Sequence, residues 1–118
     1  MDSKREASYV VHVAVLTPRE GREDELLRSM RVMGGPADRH PGLRQHVIGR
    51  DRQSSRFVGI TVWESEEAWS EAVGEGRRAV AAAGFDMDAI LESADGLMLD
   101  PLDFVDRPGG VELRQGQA

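Results

Sequence analysis

Trp63, Trp69 and His12 are the side chains of this chain best suited to chemistry. An indole supplies a flat apolar wall and an N–H donor, so two of them close in sequence suit a planar aromatic guest. An imidazole titrates near neutrality and can take a proton from a phenol. Each also has a plain structural use, since aromatic residues fill cores and a strand histidine needs only a hydrogen-bond partner.

The residues around Trp63 favour the chemical use. In Phe57-Val58-Gly59-Ile60-Thr61-Val62-Trp63 a period of two puts Phe57, Gly59, Thr61 and Trp63 on one face and Val58, Ile60 and Val62 on the other. Gly59 and Thr61 remove bulk between two aromatic rings, so a void lined by Phe57 and Trp63 is expected beside them. In that use Trp63 orients a ligand, His12 is the base if it reaches the pocket rather than a core or interface position, and Phe57, Gly59, Thr61 and Trp69 are the substrate contacts. His46 shares a face with Arg44, Ile48 and Arg50, which reads as exposed or interfacial surface, and His40 falls in a loop. The three histidines lack metal-ligand spacing and cysteine is absent. No metal site, disulfide or thiol nucleophile is expected.

These side chains need a scaffold, and the chain supplies one in a readable order. Tyr9 to Leu16 is β-branched and nearly continuously apolar before Thr17-Pro18, which predicts a first strand buried on both faces. Gly21 to Glu25 opens a helix with Leu26, Leu27, Met30 and Met33 at helical spacing, and Gly34-Gly35-Pro36 is expected to stop it. Pro41-Gly42 introduces a strand from Leu43 to Arg50, joined by a hairpin loop at Asp51 to Ser55 to the strand that ends in Trp63. Ser65 caps the next helix, with Glu66 and Glu67 set against its positive dipole end. That helix is expected to break at Gly74 and Gly76 and resume through Ala79 to Ala83. A short helix over Asp86 to Glu92 and a last strand, Leu97 to Leu99 and Leu102 to Val105 interrupted by Pro101, complete the order.

A chain of 118 residues fits one domain. Residues 1–7 read as a polar leader, 8–106 as the domain and 107–118 as a flexible tail. The net charge of -6 and pI near 5.0 argue against a nucleic-acid partner. No apolar run approaches the roughly 20 residues a spanning helix requires, so no membrane partner is expected. Lack of cysteine and of a targeting segment suits the cytoplasm.

The order βαββαβ predicts an α+β, ferredoxin-like antiparallel sheet with helices on one face. Its other face is apolar too, and a second copy of the sheet is the simplest cover, which predicts a homodimer. Basic residues crowd the hairpin (Arg39, Arg44, Arg50, Arg52, Arg56), and acidic ones run from Asp86 to Asp106. Both clusters read as solvated faces, with charge pairing across the dimer as the sharper alternative.

Three local patterns carry a family resemblance: the first strand running into Thr17-Pro18-Arg19-Glu20-Gly21-Arg22, the Pro41-Gly42-Leu43 turn, and Arg56-Phe57-Val58 through Val62-Trp63-Glu64-Ser65-Glu66-Glu67-Ala68. In these the chain resembles the antibiotic biosynthesis monooxygenase family, whose members form dimeric α+β barrels from two ferredoxin-like subunits. The resemblance implies a monooxygenase that needs no cofactor and acts on a small aromatic or polyketide-like phenol or quinol. Trp63 matches the tryptophan of the family's pocket. The asparagine and tyrosine that accompany it in quinol-oxidising members fall at Gly59 and Trp69. In the haem-degrading branch the site positions fall at His12, Ala72 and Ala82, which disfavours haem degradation. Loss of the polar partners leaves an alternative: a non-oxidising dimeric binding or accessory protein, or a cyclase- or isomerase-like enzyme using the same cavity.

Overall fold

The apolar run at the start of the chain becomes the strand that organises the rest. A computed structural model describes residues 9–103. It contains β1 (Val10–Pro18), α1 (Glu23–Arg39), β2 (Leu43–Arg50), β3 (Phe57–Trp63), α2 (Glu66–Ala82), α3 (Met87–Ile90) and β4 (Leu91–Leu99). The strands form one antiparallel sheet in the order β2-β3-β1-β4, the ferredoxin-like α+β arrangement. β1 is thus an inner strand, paired on both edges, as its valine-rich sequence requires.

Register sorts the sheet into two faces. One row crosses it as His46, Thr61, His12 and Met98, and the next as Ile48, Gly59, Ala14 and Gly96. This face lies under the helices. Between those rows, on the opposite face, runs Val47, Ile60, Val13 and Leu97. Val47 and Leu97 are more than half exposed, and Ile60 and Leu99 are exposed as well. Among the described residues nothing covers this face.

The core on the helix side has two centres. Trp63, Val10, Ala37, Ala68 and Ala72 form one, and Leu26, Met30, Phe57 and Ile90 the other. At about 25 cal/mol per Å² of apolar area, each large side chain buried here contributes about 1.5–3 kcal/mol. Substituting any of them with alanine would leave a cavity at either centre.

Three expectations are corrected. The first helix does not stop at Gly34-Gly35-Pro36 but continues to Arg39. Two glycines cost about 1 kcal/mol each in a helix and proline about 3, but those last turns bury Gly34, Pro36 and Ala37. Burial outweighs local preference. The second helix is likewise unbroken through Gly74 and Gly76. A Cβ at Gly76 would lie 2.7 Å from the Met33 carbonyl oxygen and 2.7 Å from its sulfur, so glycine there lets α2 press against α1. Finally, α3 ends at Ile90, and the last strand begins at Leu91 rather than Leu97. Glu92, Ser93 and Asp95 are poor strand formers, but they sit on an edge strand, where exposed charges are tolerated and discourage further pairing. Leu102 and Asp103 fall outside the strand, and the expectations for Phe104, Val105, the leader and the tail lie outside the described residues.

Candidate active site

The junction after β3 holds its tryptophan by several independent contacts. Ser65 Oγ accepts the Ala68 N–H at 3.1 Å and starts α2, fixing where the chain turns as Trp63 leaves the sheet. The Trp63 side chain is 1% exposed. His40, at the end of α1, meets it edge to face with ring centroids 5.8 Å apart. The Gly42 N–H donates to His40 Nδ1 at 2.9 Å, which leaves the proton on Nε2 to donate to the Glu71 carboxylate at 2.9 Å. The loop histidine therefore braces Trp63.

A half-open cavity of about 630 Å³ lies between the sheet and the two long helices. Its floor is built from the two cross-strand rows: His12, Thr61 and His46, then Ala14, Gly59 and Gly96. Small side chains in the second row leave the depth that a ligand would use. Met30 and Met33 from α1 and Trp69, Ala72 and Val73 from α2 form the walls, with Trp63 at one end. Methionine is adaptable, so the α1 wall can mould to a flat guest.

Polar groups are few and specific. Trp63 Nε1 and Trp69 Nε1 are both buried and have no hydrogen-bond partner among the described residues. An unsatisfied buried donor costs about 1–3 kcal/mol, so the two indoles stand in the site for their flat apolar faces and at some cost in stability. His12 packs against the Trp69 ring, centroids 5.0 Å apart. Burial lowers its pKa below the ordinary imidazole value and holds it neutral. Across Thr61 from it, His46 binds Asp38 of α1 with Nδ1 to Oδ1 at 2.8 Å. Arg77 adds a cation to the α2 wall. Among the described residues no three His, Asp or Glu side chains gather in a way that would hold a metal ion.

The family model of the antibiotic biosynthesis monooxygenases matches residues 9–82, more than half of the chain. The chain belongs to the antibiotic biosynthesis monooxygenase family. Among solved structures it is similar to Rv0793 from Mycobacterium tuberculosis, with 21% identity over 84% of this chain and 100% of that one, at a TM-score of 0.74. A variant of SnoaB, a cofactor-independent oxygenase from Streptomyces nogalater, matches at 20% identity over 85% and 99% of the two chains, with a TM-score of 0.69. A variant of MhuD with two manganese protoporphyrin IX molecules bound per active site matches at 22% identity over 83% and 99%, with a TM-score of 0.64. At these identities the likeness carries the fold. No curated protein matches by sequence.

Within this family framework, five of the six residues expected at the site converge. His12, Gly59, Thr61, Trp63 and Trp69 all line the cavity. Phe57 does not. It faces the same side of β3 but lies at the other end, packed with Leu26, Met30 and Ile90 and covered by the Arg50 guanidinium 5.1 Å above its ring. His46 is the other correction. Its neighbours Ile48 and Arg50 do share its face, but that face is the one under the helices, and His46 lines the cavity. A register shift between Leu43 and Gln45 separates Arg44 from this alternation, and Arg44 instead pairs with Glu64 at 3.3 Å. The signal was present in the hairpin itself: pairing Arg50 with Phe57 puts His46 opposite Thr61. Met30, Met33 and Arg77 gave no sequence signal beyond helical spacing.

Proposed function

We propose that this antibiotic biosynthesis monooxygenase family member oxygenates a small aromatic phenol or quinol in the cavity beside Trp63, without a cofactor. The observation that carries the reading is the pair of indole side chains, Trp63 and Trp69, lining a largely apolar cavity of about 630 Å³ with the His12 imidazole of its floor packed against one of them. A flat polycyclic phenol fills such walls and stacks on their rings. The fold shared with SnoaB, a cofactor-independent oxygenase, supports the same chemistry.

The chemistry asks little of the protein beyond position and a base. A phenol that loses its proton to a floor imidazole, His12 or His46, becomes electron-rich enough to react with oxygen. For an anthrone, one oxygen atom ends in a new carbonyl and the other leaves as water, with the ring methylene supplying the electrons. The cavity keeps the reactive anion from bulk water and holds it in one orientation. Haem chemistry is disfavoured, because Ala72 and Ala82 offer no ligand atom and Ala82 does not line the cavity.

The uncovered sheet face supports a homodimer in this reading. Its apolar row Val47, Ile60, Val13 and Leu97 spans all four strands, and a second sheet is its natural complement. A non-oxidising binding or cyclase-like role is the second reading. It is favoured by Gly59, which presents no polar group at the position where quinol-oxidising relatives place asparagine. Oxygen uptake with 1,8-dihydroxyanthrone separates the two. The oxygenase reading expects uptake above the autoxidation rate with quinone formed in equal amount, and a strong loss in Trp63→Phe. Tight anthrone binding without uptake leaves the non-oxidising reading, and a Soret shift on adding hemin would reopen haem.

A further inference from the structure

The cavity floor carries two imidazoles, and their surroundings differ in a way that gives them different work. His12 has an indole against it and, among the described residues, no carboxylate bound to it. His46 is clamped. Its ring lies so close over α1 that a Cβ at Gly34 would come within 2.9 Å of Cε1, and one helical turn further on Asp38 Oδ1 holds Nδ1 at 2.8 Å. Gly34 and Asp38 are four residues apart and therefore stand on the same side of the helix. One makes room for the ring and the other fixes its rotation.

A carboxylate at Nδ1 determines the tautomer. The ring proton sits on Nδ1, donated to Asp38, so Nε2 carries the lone pair. Nε2 has no hydrogen-bond partner among the described residues, and His46 lines the cavity. The side chain is 19% exposed whereas Asp38 is 62% exposed, so the pair runs from solvent to the cavity wall. A proton taken up at Nε2 creates a cation already matched by a negative charge. One taken up by His12 creates a cation with no such match.

We propose that His46 is the catalytic base of this site, accepting a phenolic proton at Nε2, and that Asp38 is its positioning residue. The proposal rests on the aromatic-phenol reading of the cavity. In the step, the substrate O–H bond breaks and an N–H bond forms at Nε2, giving a phenolate and an imidazolium whose Nδ1–H stays on Asp38. The sequence places this function within reach, since Asp38 and His46 flank the turn that joins α1 to β2.

The test uses 2-hydroxyanthraquinone, whose phenolate absorbs at longer wavelength than its phenol, on the full chain. Quenching of tryptophan emission reports whether the probe enters the cavity, and the long-wavelength band reports whether it is ionised there. The band is expected in the wild type at a pH where the free probe is mostly neutral, and is expected to vanish in His46→Gln while quenching remains. A band that survives His46→Gln overturns the proposal and leaves the aromatic cavity standing. Absence of quenching in the wild type overturns the aromatic reading instead. Imidazole nitrogen shifts by NMR serve as the independent measurement. His46 is expected as the Nδ1–H tautomer, Asp38→Asn is expected to lose that preference with the fold intact by circular dichroism, and probe binding is expected to protonate Nε2. An Nε2–H tautomer in the unliganded wild type would sink the assignment whatever the probe does.

Discussion

The His12 imidazole of β1 lies 5.0 Å from the Trp69 indole of α2, with the two ring planes at 41°. This contact spans the cavity from floor to wall, so the state of one ring is reported by the other. Burial lowers the His12 pKa, because an imidazolium there loses water without gaining a counter-charge. Protonated histidine quenches a neighbouring indole, and the Trp69 emission should therefore fall with a midpoint below the ordinary value of about 6.5. Stability should follow the same titration. The unfolded chain binds the His12 proton at higher pH than the folded chain does, so stability from this group is complete above about pH 6.5 and declines as pH falls through the lower folded value. Fluorescence titration and urea unfolding across pH 7.5 to 4.5 measure both, and His12→Gln removes the contribution of His40 and His46 by difference. An emission midpoint above the ordinary value, or one unchanged in Trp69→Phe, would contradict this account.

Gly74 and Gly76 stand two residues apart on α2 and are expected to answer the same substitution with opposite sign. A Cβ at Gly76 would meet the Met33 carbonyl oxygen at 2.7 Å, and a carbonyl in a helix cannot move aside without moving the helix. A Cβ at Gly74 would meet nothing nearer than the Arg78 guanidinium at 3.7 Å, an ordinary contact. Gly76→Ala should cost about 1–3 kcal/mol through overpacking. Gly74→Ala should stabilise by roughly 0.5–1 kcal/mol through helix propensity. Urea denaturation of the two variants decides it, and equal midpoints would show that the helix pair relaxes freely.

That pair of glycines also explains where the sequence misleads. Alternation in Phe57 to Trp63, the Ser65 cap and the hairpin between Arg50 and Phe57 were legible because each is a local preference that tertiary structure merely confirms. The breaks expected at Gly34-Gly35-Pro36 and at Gly74 to Gly76 do not form because Gly34, Pro36 and Gly76 sit in packing between elements, which no local propensity records. Four cavity residues, His12, Gly59, Thr61 and Trp63, follow from the faces of two neighbouring strands, and Trp69 from its place in the first turn of the helix after them. Phe57 shares the cavity's face of β3 but not its lining, because Leu26, Met30 and Ile90 pack against its ring, which no face assignment records. His46 is hidden for a related reason: its arginine neighbours suggest open surface, yet one of them, Arg44, lies at the register shift and the face itself lies under the helices. That the indole nitrogens lack a partner among the described residues is not legible at all, since satisfaction of a donor depends on what other elements bring near it.

The row Val47, Ile60, Val13 and Leu97 carries the last prediction. A four-strand stripe of valine, isoleucine and leucine turned to water is costly for a lone subunit, at about 25 cal/mol per Å² of apolar surface. If a second sheet covers it about a two-fold axis, residues near the axis approach their own copies, and a charge introduced there is repelled by itself. Ile60 lies on an inner strand within this row and is 36% exposed, so lysine can enter without disturbing the cavity side, where Gly59 and Thr61 face. Ile60→Lys should raise the dimer dissociation constant by at least on the order of a hundredfold, since like charges brought together at an interface cost several kcal/mol. The subunit fold should survive, because a lone lysine on an open face remains solvated. Sedimentation equilibrium over a range of protein concentrations reads the association, and circular dichroism reads the fold. A wild-type chain that stays monomeric at every concentration would refute the sheet-to-sheet dimer, and a dimer indifferent to lysine at position 60 would move its interface elsewhere.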